Sequence, residues 1–248
     1  MEALRSAAEA PNVGPNGGTM TYDAQWADLS EYLVHFTRDS GDASAYENML
    51  SILSSGTLEA RNDFGAARSA APAATQRCVC FSEIPLHQLK RLADRRSDYG
   101  VGFTKSFLAA SGAAPVWYPP LGTRTAQAVA SMVRAASSQS TADAPALWDM
   151  TPFIDVVGRY PNGARFEFEW EREWRLVGNL DIRPADTALL IIPDSLHSAA
   201  RSFFRDTQRE DTGPTYECAF IDPRWDAQRT GAAMSSAPGS PLLDSDEG

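Results

Sequence analysis

The stretch FEFEWEREWRLVG, residues 166–178, puts two acids and a base within reach of one another. If it is extended, Glu171, Glu173 and Arg175 project to one face and Trp170, Arg172 and Trp174 to the other, because side chains alternate along a strand. Adjacent carboxylates on one face repel, so one of them holds its proton to higher pH. Such a pair suits work on a sugar hydroxyl. One Glu accepts a hydrogen bond from it and stabilises positive charge developing on the ring. The same residues also read as a solvated, charge-rich face, and Glu171 to Arg175 is a favourable i,i+4 pair if the stretch is helical.

A second candidate is His35, one of 3 His in the chain, at the end of the apolar run YLVHF. A neutral imidazole at a strand end can bind a ribose hydroxyl or a phosphate, or it can be a satisfied core histidine. His87 and His197 fall on helical stretches and read as surface residues. Ser82 and Glu83, in CFSEIP, stand where a strand gives way to a helix, and there they either face a ligand or cap the helix. Cys78 and Cys80 flank one residue and share a strand face, and they read as buried thiols. With 3 Cys and 3 His in all, no metal site is expected. No Ser-His-Asp or Cys-His pair stands in a recognisable local context.

The elements that must position these residues follow from the pattern. EYLVHF reads as a first strand. SAYENMLSILSSG reads as a helix that Ser44 caps, with Glu47 three residues on as in a capping box and Gly56 as its stop. RCVCFSEI is a strand, and PLHQLKRLADRRSDYG is a helix with Pro85 near its start and Gly100 at its end. VGFTKSF and PVWY read as short strands, and residues 124–136 as a helix. FEWEREWRLVG, TALLIIP and YECAF complete the strands, with DSLHSAARSFFRDT a helix between the last two. Strands and helices mix without regular alternation, which predicts an α+β fold. Neither a G-x-G-x-x-G after a strand nor a P-loop is present.

The chain has 248 residues and a net charge of -10, which argues against broad, charge-driven binding to DNA or RNA. Residues 1–21 and 226–248 are rich in Gly, Pro, Ala and Ser without a period and are expected to be a disordered arm and tail. Residues 22–225 then form a single domain. No apolar run is long enough for a membrane span and no secretory leader is evident, so the cytoplasm is the expected location.

Taken in order, H-F-T, a helix ending LSILSSG, CVCFSEIP, Y-G-V-G-F and a later E-R-E-W-R form a series that resembles the ADP-ribosyltransferase superfamily. The H-x-T … IL-x-x-G start is similar to DarT-type DNA ADP-ribosyltransferases. The FSE-x-P … YG-x-x-F … EWR portion more closely resembles bacterial phage-defence proteins of the AbiGi family, which carry the label of abortive-infection antitoxin. The resemblance covers about residues 32–178. It implies a split β-sandwich with flanking helices and NAD as substrate. It also implies a role for each site residue. His35 would bond the NAD ribose, with Thr37 beside it, and Ser82 would be a further cofactor-binding residue. Tyr99 would stack on nicotinamide, and Arg38 or Arg175 would meet the pyrophosphate. Glu173 would be the catalytic carboxylate and Glu171 would serve the acceptor. The Ser-Thr-Ser strand motif of the Arg-directed toxins is not evident, nor is the mid-chain Arg motif of the DarT type.

The expectation that follows is an NAD-dependent ADP-ribosyltransferase acting as a toxin or anti-phage effector on a nucleic acid or protein. The alternative is a non-catalytic antitoxin or sensor on a degenerate transferase fold, with a cognate partner. A third class, an RNA-processing or nucleotide-binding module, would use a basic patch of Lys90, Arg91, Arg95 and Arg96.

Overall fold

The computed structural model describes residues 29–138, 145–160, 163 and 165–237. The arm expected at 1–21 lies outside the described residues. Twelve strands are assigned among them: β1 (Tyr32–Phe36), β2 (Thr57–Leu58), β3 (Asn62–Asp63), β4 (Arg77–Ser82), β5 (Gly100–Thr104), β6 (Ala114–Pro115), β7 (Gly158–Arg159), β8 (Arg165–Phe166), β9 (Glu173–Val177), β10 (Leu180–Asp181), β11 (Leu189–Ile191) and β12 (Ala219–Ile221). The helices are α1 (Ala45–Ser55), α2 (Lys90–Ala93), α3 (Lys105–Ala110), α4 (Arg124–Ser137), α5 (Pro145–Met150), α6 (His197–Glu210) and α7 (Ala227–Ser235). This is a mixed α+β fold.

One eight-stranded sheet carries the architecture, in the order β12-β11-β5-β1-β4-β9-β6, with β3 paired to β4. Only β11 and β12 run parallel; the other pairs are antiparallel. Two two-stranded ladders, β10-β2 and β7-β8, stand apart. The strands therefore pair as one continuous main sheet, and the two separate layers of a split sandwich are not seen among the described residues. Both faces are covered. Leu33, Val79, Phe81, Val101, Phe103 and Leu176 pack with Met49 and Leu53 of α1, Leu108 of α3 and Phe204 of α6. Val34, Phe36, Leu189 and Ile191 pack with Leu89 and Leu92 around α2 and with Met234 and Ala237 at α7. Burying a side chain such as Phe81 or Phe103 contributes about 1.5–3 kcal/mol each, so the central strands β1, β4 and β5 anchor the fold.

Local signals set several elements where the sequence puts them. Ser44 caps α1 in a full capping box with Glu47, and Gly56 ends it in the left-handed region at φ 68°. Gly100 in β5 meets a different need: a Cβ there would lie 2.6 Å from the carbonyl oxygen of His35 on β1. The two strands approach too closely for any side chain.

Three expectations are corrected. The long helix expected after Pro85 is a 3-10 turn at Leu86–Gln88 followed by the single turn of α2. VGFTKSF divides at Thr104, whose hydroxyl accepts from the Phe107 N–H and so starts α3. The tail expected from residue 226 holds α7, capped by the Asp226 carboxylate and seated through Met234 on the sheet. Residues 238–248 of that tail lie outside the described residues.

Candidate functional site

The E-R-E-W-R stretch is not one straight strand. Glu169–Glu171 form a 3-10 turn, Arg172 takes the left-handed conformation at φ 45°, and β9 begins only at Glu173. A residue with a side chain is strained in that conformation, and the bend sends the two glutamates to different partners. The two carboxylates of the expected pair are thus held by different cations.

Glu173 sits opposite Ser82 and Arg175 opposite Cys80 across the β4–β9 ladder. Glu173 accepts from Arg175 Nε at 2.9 Å and Nη2 at 3.0 Å and from the Tyr118 hydroxyl. Burial alone would raise the Glu173 pKa, but the Arg175 hydrogen bonds and charge, with Tyr118, outweigh it and hold the carboxyl below the ordinary range. Arg175 is 2% exposed. It also donates to Asp155 at 2.7 Å and to the Pro152 carbonyl at 2.6 Å, and it lies over the Phe64 ring. Four of its five N–H donors thus point to internal partners and the side chain is buried, so the expected pyrophosphate contact is not favoured by this placement. Burial, with the neighbouring Glu173 charge, pushes the Tyr118 hydroxyl far up. Burial also lifts the thiols, Cys78 to about 12 and Cys80 well above its ordinary value; Cys78 is buried as expected, whereas Cys80 is half-buried.

Glu171, 5% exposed, accepts from Arg96 Nη2 at 2.7 Å and from Ser82 Oγ at 3.4 Å. Its neighbour Glu83 is likewise buried and held, by Lys105 at 2.5 Å and by the Trp174 indole N–H at 2.7 Å. The Glu83 N–H itself donates to the carbonyls of Glu171 and Arg172, which pins the bend. Ser82 and Glu83 therefore serve this knot of ion pairs.

His35 is on the opposite side of the sheet. Val34, not His35, stands opposite Ser82 in register, and Ser82 stands opposite Glu173. Directly paired residues share a face and successive residues alternate, so His35 and Glu173 point to opposite faces. The His35 ring packs edge-on at 6.1 Å from Phe81, and Nδ1 donates to the Cys80 carbonyl at 2.9 Å. Desolvation is the main reason its pKa falls below the ordinary histidine value, so it is neutral at pH 7. Thr37 is buried and donates to the Ala45 carbonyl at 2.7 Å. Tyr99 is half-buried, its ring 5.3 Å from that of Tyr46, and its carbonyl accepts from the Thr37 N–H. Arg38 is exposed. The eight residues singled out from the sequence thus divide. Ser82, Glu171, Glu173 and Arg175 gather around β4 and β9, whereas His35, Thr37 and Tyr99 gather around β1 and β5. No described geometry makes one NAD-binding set of them.

Tyr118 and Asp155 complete the Glu173–Arg175 network, and no local pattern marks either of them. Both stand in connecting segments, and only the tertiary fold brings them to β9. A further cluster forms where the bend emerges. The guanidiniums of Arg91 and Arg95 lie over the Trp170 ring, at 3.9 and 4.8 Å from its centroid. Beside them a cleft of about 130 Å³ is lined by Glu83, Ile84, Pro85, Gln88, Arg91, Trp170 and Arg172. Among the described residues no group of His, Cys, Asp and Glu could hold a metal ion, and no helix is long and apolar enough to cross a membrane.

A family model matches residues 50–210: AbiGi, described as an abortive phage resistance protein, antitoxin. The matched span includes Ser82, Tyr99, Glu171, Glu173 and Arg175 and begins after His35, Thr37 and Arg38. No curated protein and no solved structure matches the chain. The family's description overturns the expectation of an NAD-dependent ADP-ribosyltransferase that acts as a toxin, and it agrees with the antitoxin alternative. Since the match spans well over half of its length, the chain belongs to the AbiGi family.

Proposed function

We propose that this protein is the antitoxin of an abortive-infection pair and neutralises a cognate toxin by binding it, without chemistry of its own. The observation that carries the reading is the family match across residues 50–210. The geometry supports it, because a catalytic carboxylate needs an open acceptor position toward substrate. Glu173 and Glu171 are instead occupied by Arg175, Tyr118 and Arg96. The order of H-F-T, FSEIP, YGVGF and EWR supports a scaffold of transferase-like ancestry whose site has been converted into structure.

The test is growth. Induced alone, the full chain is expected to be harmless. Induced with its cognate toxin, it is expected to restore growth and to copurify with that toxin. If the chain alone arrests growth, and Glu173→Gln relieves the arrest, the antitoxin reading fails.

A further inference from the structure

Arg91 and Arg95 are both exposed, and neither has an ion-pair partner among the described residues, whereas their neighbours Lys90 and Arg96 are tied to carboxylates. They are nonetheless held in place, because both lie over Trp170. Trp170 is half-buried and rests against the core beside α2. A guanidinium stacked in this way keeps its donors directed outward and has less freedom to lose on binding than one on a mobile stem. Trp and Arg are also the side chains most often found at the energetic centre of protein interfaces.

Three of the four acids nearest the patch are paired, and the fourth, Glu169 beside Trp170, is exposed. Glu83 is paired with Lys105, Glu171 with Arg96, and Asp94 with Lys90 and Arg224. Arg91 and Arg95 therefore present two unpaired guanidiniums on a chain of net charge -10. Beside it the cleft has an apolar wall of Ile84 and Pro85. Its far side is Arg172, whose left-handed backbone is fixed by the Glu83 N–H bonds to the carbonyls of Glu171 and Arg172.

We infer that Arg91 and Arg95, stacked on Trp170 beside the Ile84–Pro85 cleft, form the docking site for an acidic segment of the partner protein. The identity of that partner as a toxin rests on the antitoxin reading above. Carboxylates of the segment meet the two guanidiniums, where a planar fork accepts a carboxylate with two parallel hydrogen bonds, and an apolar side chain between them enters the cleft. The patch fits a protein better than a nucleic acid strand. A strand needs a basic groove that follows successive phosphates, whereas this patch has two stacked arginines and an apolar wall.

The experiment titrates the full chain with a labelled synthetic peptide of alternating Glu and Leu, its Gln-for-Glu counterpart and a single-stranded oligonucleotide. The Glu peptide is expected to bind, more weakly as salt rises, and the Gln peptide is not. The R91Q/R95Q variant, checked for native unfolding behaviour, should weaken binding at least about tenfold. The R124Q/R134Q variant removes the same charge from α4 and should leave binding unchanged. No binding of the Glu peptide, equal loss in both variants, or preferred binding of the oligonucleotide that R91Q/R95Q abolishes would overturn the proposal. The growth assay separates the two readings. If wild type and R91E/R95E both neutralise the toxin, the site is wrong and the antitoxin function stands. If wild type does not neutralise it, the function falls and the peptide titration still decides the patch.

Discussion

Replacing Glu173 with Gln distinguishes a structural carboxylate from a catalytic one. The wild-type carboxylate takes two hydrogen bonds from Arg175, at 2.9 and 3.0 Å, and one from Tyr118, with 14% of its side chain exposed. Gln offers a single acceptor oxygen to that fork and turns an amide N–H₂ toward a second donor. Arg175 keeps Asp155 and the Pro152 carbonyl, so its charge is not stranded. A lost charged hydrogen bond costs about 1.5–3 kcal/mol, and the largely buried position leaves little to discount for solvent. For a chain of this size each kcal/mol lowers Tm by about 2–4 °C, so a fall of about 3–12 °C is expected. Arg175→Met leaves the largely buried Glu173 with only the Tyr118 hydroxyl and Asp155 with only the more exposed Arg68, and should cost more, about 3–5 kcal/mol. The double variant should cost less than the sum of the two, since they share one interaction. There is also a pH signature. The folded carboxyl titrates below its ordinary value of 4.5, so its contribution is complete above that value and is lost as pH falls through the folded pKa. E173Q should flatten this acid limb of stability. The assay is urea unfolding of wild type, both single variants and the double variant across pH. Equal or greater stability of E173Q would refute the reasoning, since a carboxylate kept for chemistry is the one whose removal leaves the fold no worse.

Purified protein is expected to release no nicotinamide from NAD by chromatography, alone or with nucleic acid; release that E173Q abolishes would return the enzyme reading. His35 titrates below its ordinary 6.5 in the folded state, so the native state binds fewer protons there. Its contribution is complete above that value and declines as pH falls below it; a His35→Gln variant should show a shallower loss of unfolding midpoint from neutral to mildly acidic pH, and an unchanged slope would contradict the assignment. Gly100→Ala forces a Cβ to within 2.6 Å of the His35 carbonyl and should cost at least about 1–3 kcal/mol by overpacking β1 against β5, read from the same unfolding curves.

Much of this protein was decided by its sequence alone. Ser44, Glu47 and Gly56 specify both ends of α1 because capping is chemistry between residues three or four apart. The continuous apolar runs of β1, β4 and β5 likewise mark them as central strands covered on both faces, and the order of short motifs was enough to point to the family. What the sequence could not decide is where distant elements meet. Local alternation put Glu171 and Glu173 together on one face, but the left-handed turn at Arg172, fixed by bonds from Glu83, sends one to Arg96 and the other to Arg175. His35 and Glu173 looked like partners in one site until the β1–β4–β9 register put them on opposite faces of the sheet. Tyr118, Asp155 and the Arg91–Arg95–Trp170 stack arise from contacts between segments far apart in the chain. Their energetics depend on burial and register, and both exist only once the sheet has formed.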